Sequence, residues 1–290
     1  MKTAARPTTL LLAALLACAA VPRSAAAQHK EPDPAVARIA RESRARLDGL
    51  RSLTLEQTAL GTRLTTHLER GGDPSRPLPW TLYLSGDAMD AFGAMFAVMG
   101  QMLPLTVLAL DHDSAADLRL AGTETVDGRP AFVVEGSTGR ASSPDLAAGG
   151  VIATMRLLVD SADLRVRRME VRTGGDGAGS FTADFLDWRE VEGVALPWRR
   201  RLVMHGFGAM GEDLEVTVEA MREARGEIEK LPPEQRAEAE TVMAAFDEMS
   251  RTGTLTVEVA VTAARVNAPR PEGMLNVTEV SEEEAPDGGG

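Results

Sequence analysis

The residues able to do chemistry are few and scattered. Histidine occurs four times, at His29, His67, His112 and His205, never with the His-Glu-x-x-His spacing that sets two imidazoles on one helix face. Asp111-His112-Asp113 is the best metal-ligand triplet, and a solvated loop is its simpler account. Asp160-Ser161-Ala162-Asp163 lacks the sixth-position glycine and distal glutamate of a calcium loop. Asp184 and Asp187 could act as an acid–base pair, but three positions apart on a strand they face opposite sides. Gly136-Ser137-Thr138-Gly139 is not the Gly-x-Ser-x-Gly elbow of a serine hydrolase. His205-Gly206-Phe207-Gly208 reads as a flexible turn. The chain therefore offers no catalytic constellation, and neither a metal nor another cofactor is expected.

Composition narrows the remaining classes. The chain has 290 residues and a net charge of −12, from 43 acidic and 31 basic side chains. Lys2, Arg6 and Arg23 fall in the first 27 residues, which carry no acid, so the remainder is more acidic still. Such a surface repels phosphate backbones, and nucleic acid is not an expected partner. Hydrophobic residues make up 44%, enough for a real core, while aromatics at 4% argue against a base- or sugar-stacking protein.

The N-terminus reads as an export signal. A charged start precedes the apolar run Leu10–Ala20, and Ala25-Ala26-Ala27 before Gln28 offers a small-x-small cleavage site. Residues 1–27 are thus a signal peptide, and the expected location is periplasmic. Leu15-Leu16-Ala17-Cys18 also has the form of a bacterial lipobox, and in that alternative Cys18 is lipidated and the protein is membrane-anchored.

The elements that follow would position any site. Val36, Ile39, Ala40, Ser43, Leu47 and Leu50 keep helical spacing, and Asp48-Gly49 closes that helix. Leu53 and Leu55 alternate as in a strand. The phase then slips to Leu60, Leu64, Thr66 and Leu68, with Gly61 at the slip, which predicts a bulge or bend. Leu78, Trp80, Leu82 and Leu84 form a second alternating run. After residue 118 the chain reads as a meander, with Asp127-Gly128 a hairpin turn and Val191-Glu192-Gly193 a corner. Met221–Ser250 interrupts it as a helical insertion: Pro232-Pro233 starts a polar, exposed helix with a narrow apolar edge of Val242, Phe246 and Met249. Alternation resumes at Leu255, and 281–290 is an acidic, glycine-terminated tail. About ten strands with few helices between them mean antiparallel sheet, and 28–280 fits one α+β domain.

The segment Ala91–Leu110 holds no charge. Met89, Phe92, Phe96, Met99 and Leu103 fall at helical spacing, and Met95 and Met102 widen the stripe. Burying each such side chain is worth roughly 1.5–3 kcal/mol, and half a dozen together rival the net stability of a domain. The helix is therefore a bilayer span, a core helix plugging a curved sheet, or a lid over an apolar cavity. Pro104, Gly93, Gly100, Gln101 and acidic flanks count against the span. Methionine's pliable side chain suits a lid, though such stripes also serve as plain core.

Three stretches are similar to a known family. They are Gly122-x-Glu124-x-Val126-Asp127-Gly128-Arg129-Pro130-Ala131-Phe132-Val133, then Leu158-Val159-Asp160-Ser161-x-x-Leu164-x-Val166-x-Arg168-Met169, and Phe185-x-Asp187-Trp188-Arg189-x-Val191-x-Gly193-Val194-x-Leu196-Pro197-Trp198. With the order signal, helix, two long strands, apolar helix, this resembles the periplasmic lipoprotein-carrier (Lol-type) superfamily, in particular outer-membrane lipoprotein-sorting proteins. The resemblance covers about 35–220 and 253–275. It implies a strongly curved antiparallel sheet, a half-open β-barrel, with helices covering the open side and an apolar cavity for acyl chains. Met89, Phe92, Met95, Phe96, Met99 and Leu103 would then be lid residues. By alternation parity Trp80, Leu82, Met155 and Leu157 would line the cavity, the opposite parity being the alternative. The function implied is a non-enzymatic carrier of lipid or lipoprotein acyl chains. Two alternatives stand beside it: an envelope structural or protein-interaction module with a filled core, using 221–250 as its contact element, and a lipidated outer-membrane receptor.

Overall fold

The computed structural model describes residues 33–71, 80–85, 118–138, 153–173, 179–206 and 232–276. The charge-free segment Ala91–Leu110 and both ends of the chain lie outside them. Helix α1 is Pro34–Ala45 and helix α2 is Pro233–Thr252. The strands are β1 Ser52–Ala59, β2 Thr62–Arg70, β3 Trp80–Ser85, β4 Leu118–Val126, β5 Arg129–Thr138, β6 Ala153–Asp160 and β7 Val166–Thr173. They continue as β8 Ser180–Val191, β9 Val194–His205, β10 Thr254–Val266 and β11 Met274–Asn276. All eleven join one sheet in the order β11-β3-β2-β1-β10-β9-β8-β7-β6-β5-β4, with every described pairing antiparallel. Among the described residues the sheet does not close: β11 and β4 are its two edges.

Two-residue turns set much of the register. Asp127-Gly128 and Glu192-Gly193 take left-handed backbone angles, joining β4 to β5 and β8 to β9 as tight hairpins, where the sequence placed a turn and a corner. Leu60-Gly61 does the same between β1 and β2, with φ of 50° and 83°. The slip in alternation at Gly61 is therefore a chain reversal and not a bend in one long strand. Because Ala59 pairs with Thr62, inward positions change from odd to even across the turn. Leucine in a left-handed position carries none of the usual asparagine or aspartate signature, which is why a bend looked sufficient.

The two faces differ sharply. Inward are Leu55, Leu64, Leu84, Val134, Leu157, Met169, Ala183, Phe185, Leu202 and Val257, all buried. Val36, Ile39 and Ala40 of α1 and Met243 and Met249 of α2 pack into one apolar cluster with all of these except Leu55, which clusters with Leu53, Leu68 and Val261. Of the narrow apolar edge of the inserted helix, Met249 is buried and Val242 half-buried, Met243 beside them is buried too, and the Phe246 side chain lies outside the described residues. Gly253, left-handed at φ 68°, ends α2 by donating its N–H to the Met249 carbonyl, and β10 begins at the next residue. Neither helix is long and apolar enough to cross a membrane.

Outward lies a lattice of cross-strand ion pairs. Arg156 on β6 meets Glu135 on β5 at 3.3 Å, Glu170 on β7 at 3.5 Å, and Glu124 on β4. Arg168 on β7 reaches Asp184 on β8 at 2.6 Å, Arg199 on β9 reaches Glu258 at 3.5 Å, and Arg265 on β10 reaches Glu56 at 2.6 Å. Exposed pairs add little stability singly, but opposite charges facing across strands favour the observed register over a one-residue slip.

Asp33 ties α1 to the far edge of the sheet. One carboxylate oxygen accepts the Ala35 N–H at 2.9 Å as a helix cap, and the other accepts the Leu120 N–H of β4 at 3.1 Å. These backbone donors, Leu120 foremost, hold its carboxyl below the usual carboxylate range. Asp33→Ala is expected to cost about 1–2 kcal/mol in urea unfolding near neutral pH. The folded pKa is depressed, so this contribution is present above the unfolded carboxylate pKa and fades as pH falls through the folded value. The wild-type and variant unfolding midpoints should therefore converge in acid; a gap independent of pH contradicts this role.

Candidate functional site

The inner face is built from rows of side chains running across the strands. One row reads Gly136, Met155, Val171, Phe181, Met204 and Leu255 from β5 to β10, each opposite the next. It lies at the end of the sheet where β5, β7 and β9 finish and β6, β8 and β10 begin. In this row Met155, Val171 and Phe181 are half-buried. The next row inward, Val134, Leu157, Met169, Ala183, Leu202 and Val257, is buried throughout. The wall thus grades from a partly open apolar rim to a dry floor over one step of the pleat, which is two residues along each strand.

The described members of the expected site share this face. Met155 stands in the rim row and Leu157 in the floor row. Leu82 faces Leu68 and Trp80 faces Arg70, on the same side as buried Leu84. The Arg70 guanidinium lies 5.7 Å from the centre of the Trp80 ring. Met89, Phe92, Met95, Phe96, Met99 and Leu103 lie outside the described residues.

A fully buried charged side chain interrupts the apolar wall. Arg200 is 1% exposed and the bulkiest fully buried side chain among the described residues. It stands between Phe185 on β8 and Val259 on β10. Its Nη2 donates to the Gln57 Oε1, and the Gln57 Nε2 donates in turn to the Thr66 hydroxyl at 3.1 Å. Gln57 and Thr66 are also buried. Burial pushes the Arg200 guanidinium down to about 10, still charged at neutral pH. Sequence reading passed over it because Arg199-Arg200-Arg201 looks like a run of solvated charge. The signal was there in the spacing: Leu196, Trp198, Leu202 and Met204 fix the inward parity, and Arg200 falls on it.

The acidic loops play structural parts. Asp160, 1% exposed, accepts the N–H groups of Ala162 and Asp163 and meets Arg129 at 2.7 Å and Arg167 at 3.1 Å. Burial pushes its carboxyl up, but those backbone donors and guanidinium groups outweigh it and hold the carboxyl below the ordinary range. Its turn is cemented by arginine. Asp184 pairs with Arg168 and not with Asp187, which faces Arg189 at 2.6 Å. Among the described residues no cluster of three His, Cys, Asp or Glu side chains could hold a metal ion. Asp111-His112-Asp113 lies outside them.

No protein-family model and no curated protein matches the chain. Solved structures do. A domain from Vibrio parahaemolyticus named for outer membrane lipoprotein sorting has 12% identity over 81% of this chain and 93% of its own, with a TM-score of 0.41. A DUF1329 family protein from Desulfovibrio piger has 12% identity over 83% and 95%, with a TM-score of 0.42. A LolA superfamily protein from Nitrosomonas europaea has 10% identity over 80% and 94%, with a TM-score of 0.29.

A mutant cycle tests the polar inset. Arg200→Met removes the Gln57 carbonyl's donor inside the core and is expected to cost about 1–3 kcal/mol. Arg200→Met with Gln57→Leu should cost clearly less than the two single changes summed, because both partners then leave together. Additive costs in urea unfolding would contradict a coupled pair.

Proposed function

We propose that the protein is a periplasmic, non-enzymatic binder of acyl chains from lipid or lipoprotein, and that the inner face of its sheet is the acyl-contacting wall. The observation that carries this reading is the apolar row Met155, Val171, Phe181, only half-buried beside a fully buried floor. Partly open apolar side chains in adjacent register form a track along which a flexible hydrocarbon gains contact at every strand. Wide-angle curvature of the sheet into a half-open barrel, with helices over the open side, is part of the proposal. So is the role of Met89, Phe92, Met95, Phe96, Met99 and Leu103 as the lid, with Trp80, Leu82, Met155 and Leu157 on the wall opposite.

The lack of a catalytic constellation in the sequence and the family resemblance of its turn motifs support a carrier over an enzyme. The export signal supports an envelope location, reached as a free protein after cleavage at Ala27 or as an anchored one through Cys18. Envelope proteins are the natural source and destination of such a cargo.

Neighbouring residues on β6 allow a sharp test. Met155 faces in and Thr154 faces out. Met155→Asp should weaken binding of a fluorescent fatty-acid probe at least tenfold, and Thr154→Asp should leave it unchanged. Phe96→Asp should weaken it too. Probe binding that treats Met155→Asp and Thr154→Asp alike would remove the inner face from the account.

A further inference from the structure

His67 is 0% exposed, yet it lies on the outer face of β2. A segment from the other end of the chain passes over its neighbour Tyr83. After β10, residues 267–273 cross the outer side of the sheet to deliver β11 to the edge beside β3. The crossing is stitched at its start. The Asn267 side chain accepts the Arg51 N–H at 2.7 Å and donates to the Gly49 carbonyl at 3.0 Å, while the Ser52 hydroxyl donates to the Ala268 carbonyl at 2.7 Å. Midway, the Arg270 guanidinium stacks 4.1 Å from the centre of the Tyr83 ring and meets Glu69 at 3.7 Å. The Tyr83 ring lies 6.1 Å from the His67 ring. At its end, Met274, Leu275 and Asn276 pair with Ser85, Leu84 and Tyr83.

The imidazole sits beside the Tyr83 ring on which Arg270 of the strap stacks, with one nitrogen committed and one idle. Nδ1 is 2.8 Å from the Thr54 hydroxyl, and Nε2 is buried without a hydrogen-bond partner. The groups around it are Thr54 on β1, with the Arg265–Glu56 pair beside it, Glu69 on β2, Tyr83 on β3 and Arg270 in the strap. A neutral ring is tolerated there. A protonated one would be a dehydrated cation near a strap already held down by a cation, with Glu69 its nearest opposing charge.

We propose that His67 is an acid-sensitive pin for the 267–276 strap: protonation of its ring undocks the strap from the outer face and frees β11 from the edge of β3. The sign follows from the environment. Burial lowers the proton affinity of His67 below the ordinary imidazole value of 6.5, Arg270 lowers it further, and Glu69 opposes them. The docked form therefore prefers the neutral ring. Its advantage is whole above the ordinary value and declines by up to tenfold for each pH unit below it, until the docked ring itself titrates. The device uses only this chain and is independent of any ligand reading.

Hydrogen exchange on the full mature chain, corrected for the intrinsic pH dependence of exchange, reads the strap directly. Protection of 267–276 and of 83–85 should fall severalfold, up to about tenfold, between pH 7.5 and 5.5, while β7 to β9 hold theirs. His67→Gln keeps a polar partner for Thr54 without a titrating ring and should keep the strap protected at both pH values. Equal loss in wild type and His67→Gln overturns the proposal, as does a wild-type strap that stays protected. Should His67→Gln fold poorly, a histidine proton titration of the wild type decides instead. The His67 ring and strap protection must share one midpoint; separate midpoints overturn the pin.

Discussion

Period-two alternation held in register across a wide antiparallel sheet is the constraint on which everything else depends. Each strand sends successive side chains to opposite faces, so a one-residue slip anywhere would turn apolar groups outward and arginine inward. The chain prevents that slip from both sides. Two-residue reversals at Leu60-Gly61, Asp127-Gly128 and Glu192-Gly193 fix pairings at the turns. Ion pairs such as Arg156 with Glu135 and Glu170 fix them in mid-strand. Where the pairing does shift, it does so locally, between Glu56 and Gln57, between Leu120 and Gly122, and between Leu158 and Val159. The product is a wall with one dry and one charged side.

That division also sets a buried floor apart from a partly open rim. The floor row, from Val134 to Val257, is buried and belongs to the core along with α1 and α2. The rim row, with Met155, Val171 and Phe181, is the portion with apolar surface to spare. The Arg200–Gln57–Thr66 chain is a polar inset in the same wall. Stranding the buried cation without its partner is costly, so the Arg200–Gln57–Thr66 hydrogen bonds couple β9, β1 and β2.

Local features were legible in the sequence, and contacts made by distant segments were not. Asp127-Gly128 announced its hairpin because aspartate and glycine tolerate left-handed angles. The α1 stripe of Val36, Ile39, Ala40 and Ser43 showed its buried face in advance. Leu60-Gly61 passed for a bend because leucine has no turn chemistry of its own. Parity along β6 placed Met155 and Leu157 on one face, and the register of the neighbouring strands then made that face the inner one. His67 is the hardest case: its own alternation reads as outward and wet, yet it is buried, and its neighbour Tyr83 is met by Arg270 from a segment that begins at Asn267, which accepts the Arg51 N–H 216 positions away in sequence. Likewise, the helix that follows Pro232 reads as a polar surface element until Met243 and Met249 are seen inside the sheet's core.

The most direct test of the central claim, that the dry face holds hydrocarbon, is native mass spectrometry of the protein purified gently from an envelope fraction. The account predicts a population heavier than the bare chain by one or a few acyl-containing lipids, released on organic extraction and restored by added lipid. A single bare mass that stays bare when fatty acids and phospholipids are supplied would contradict it.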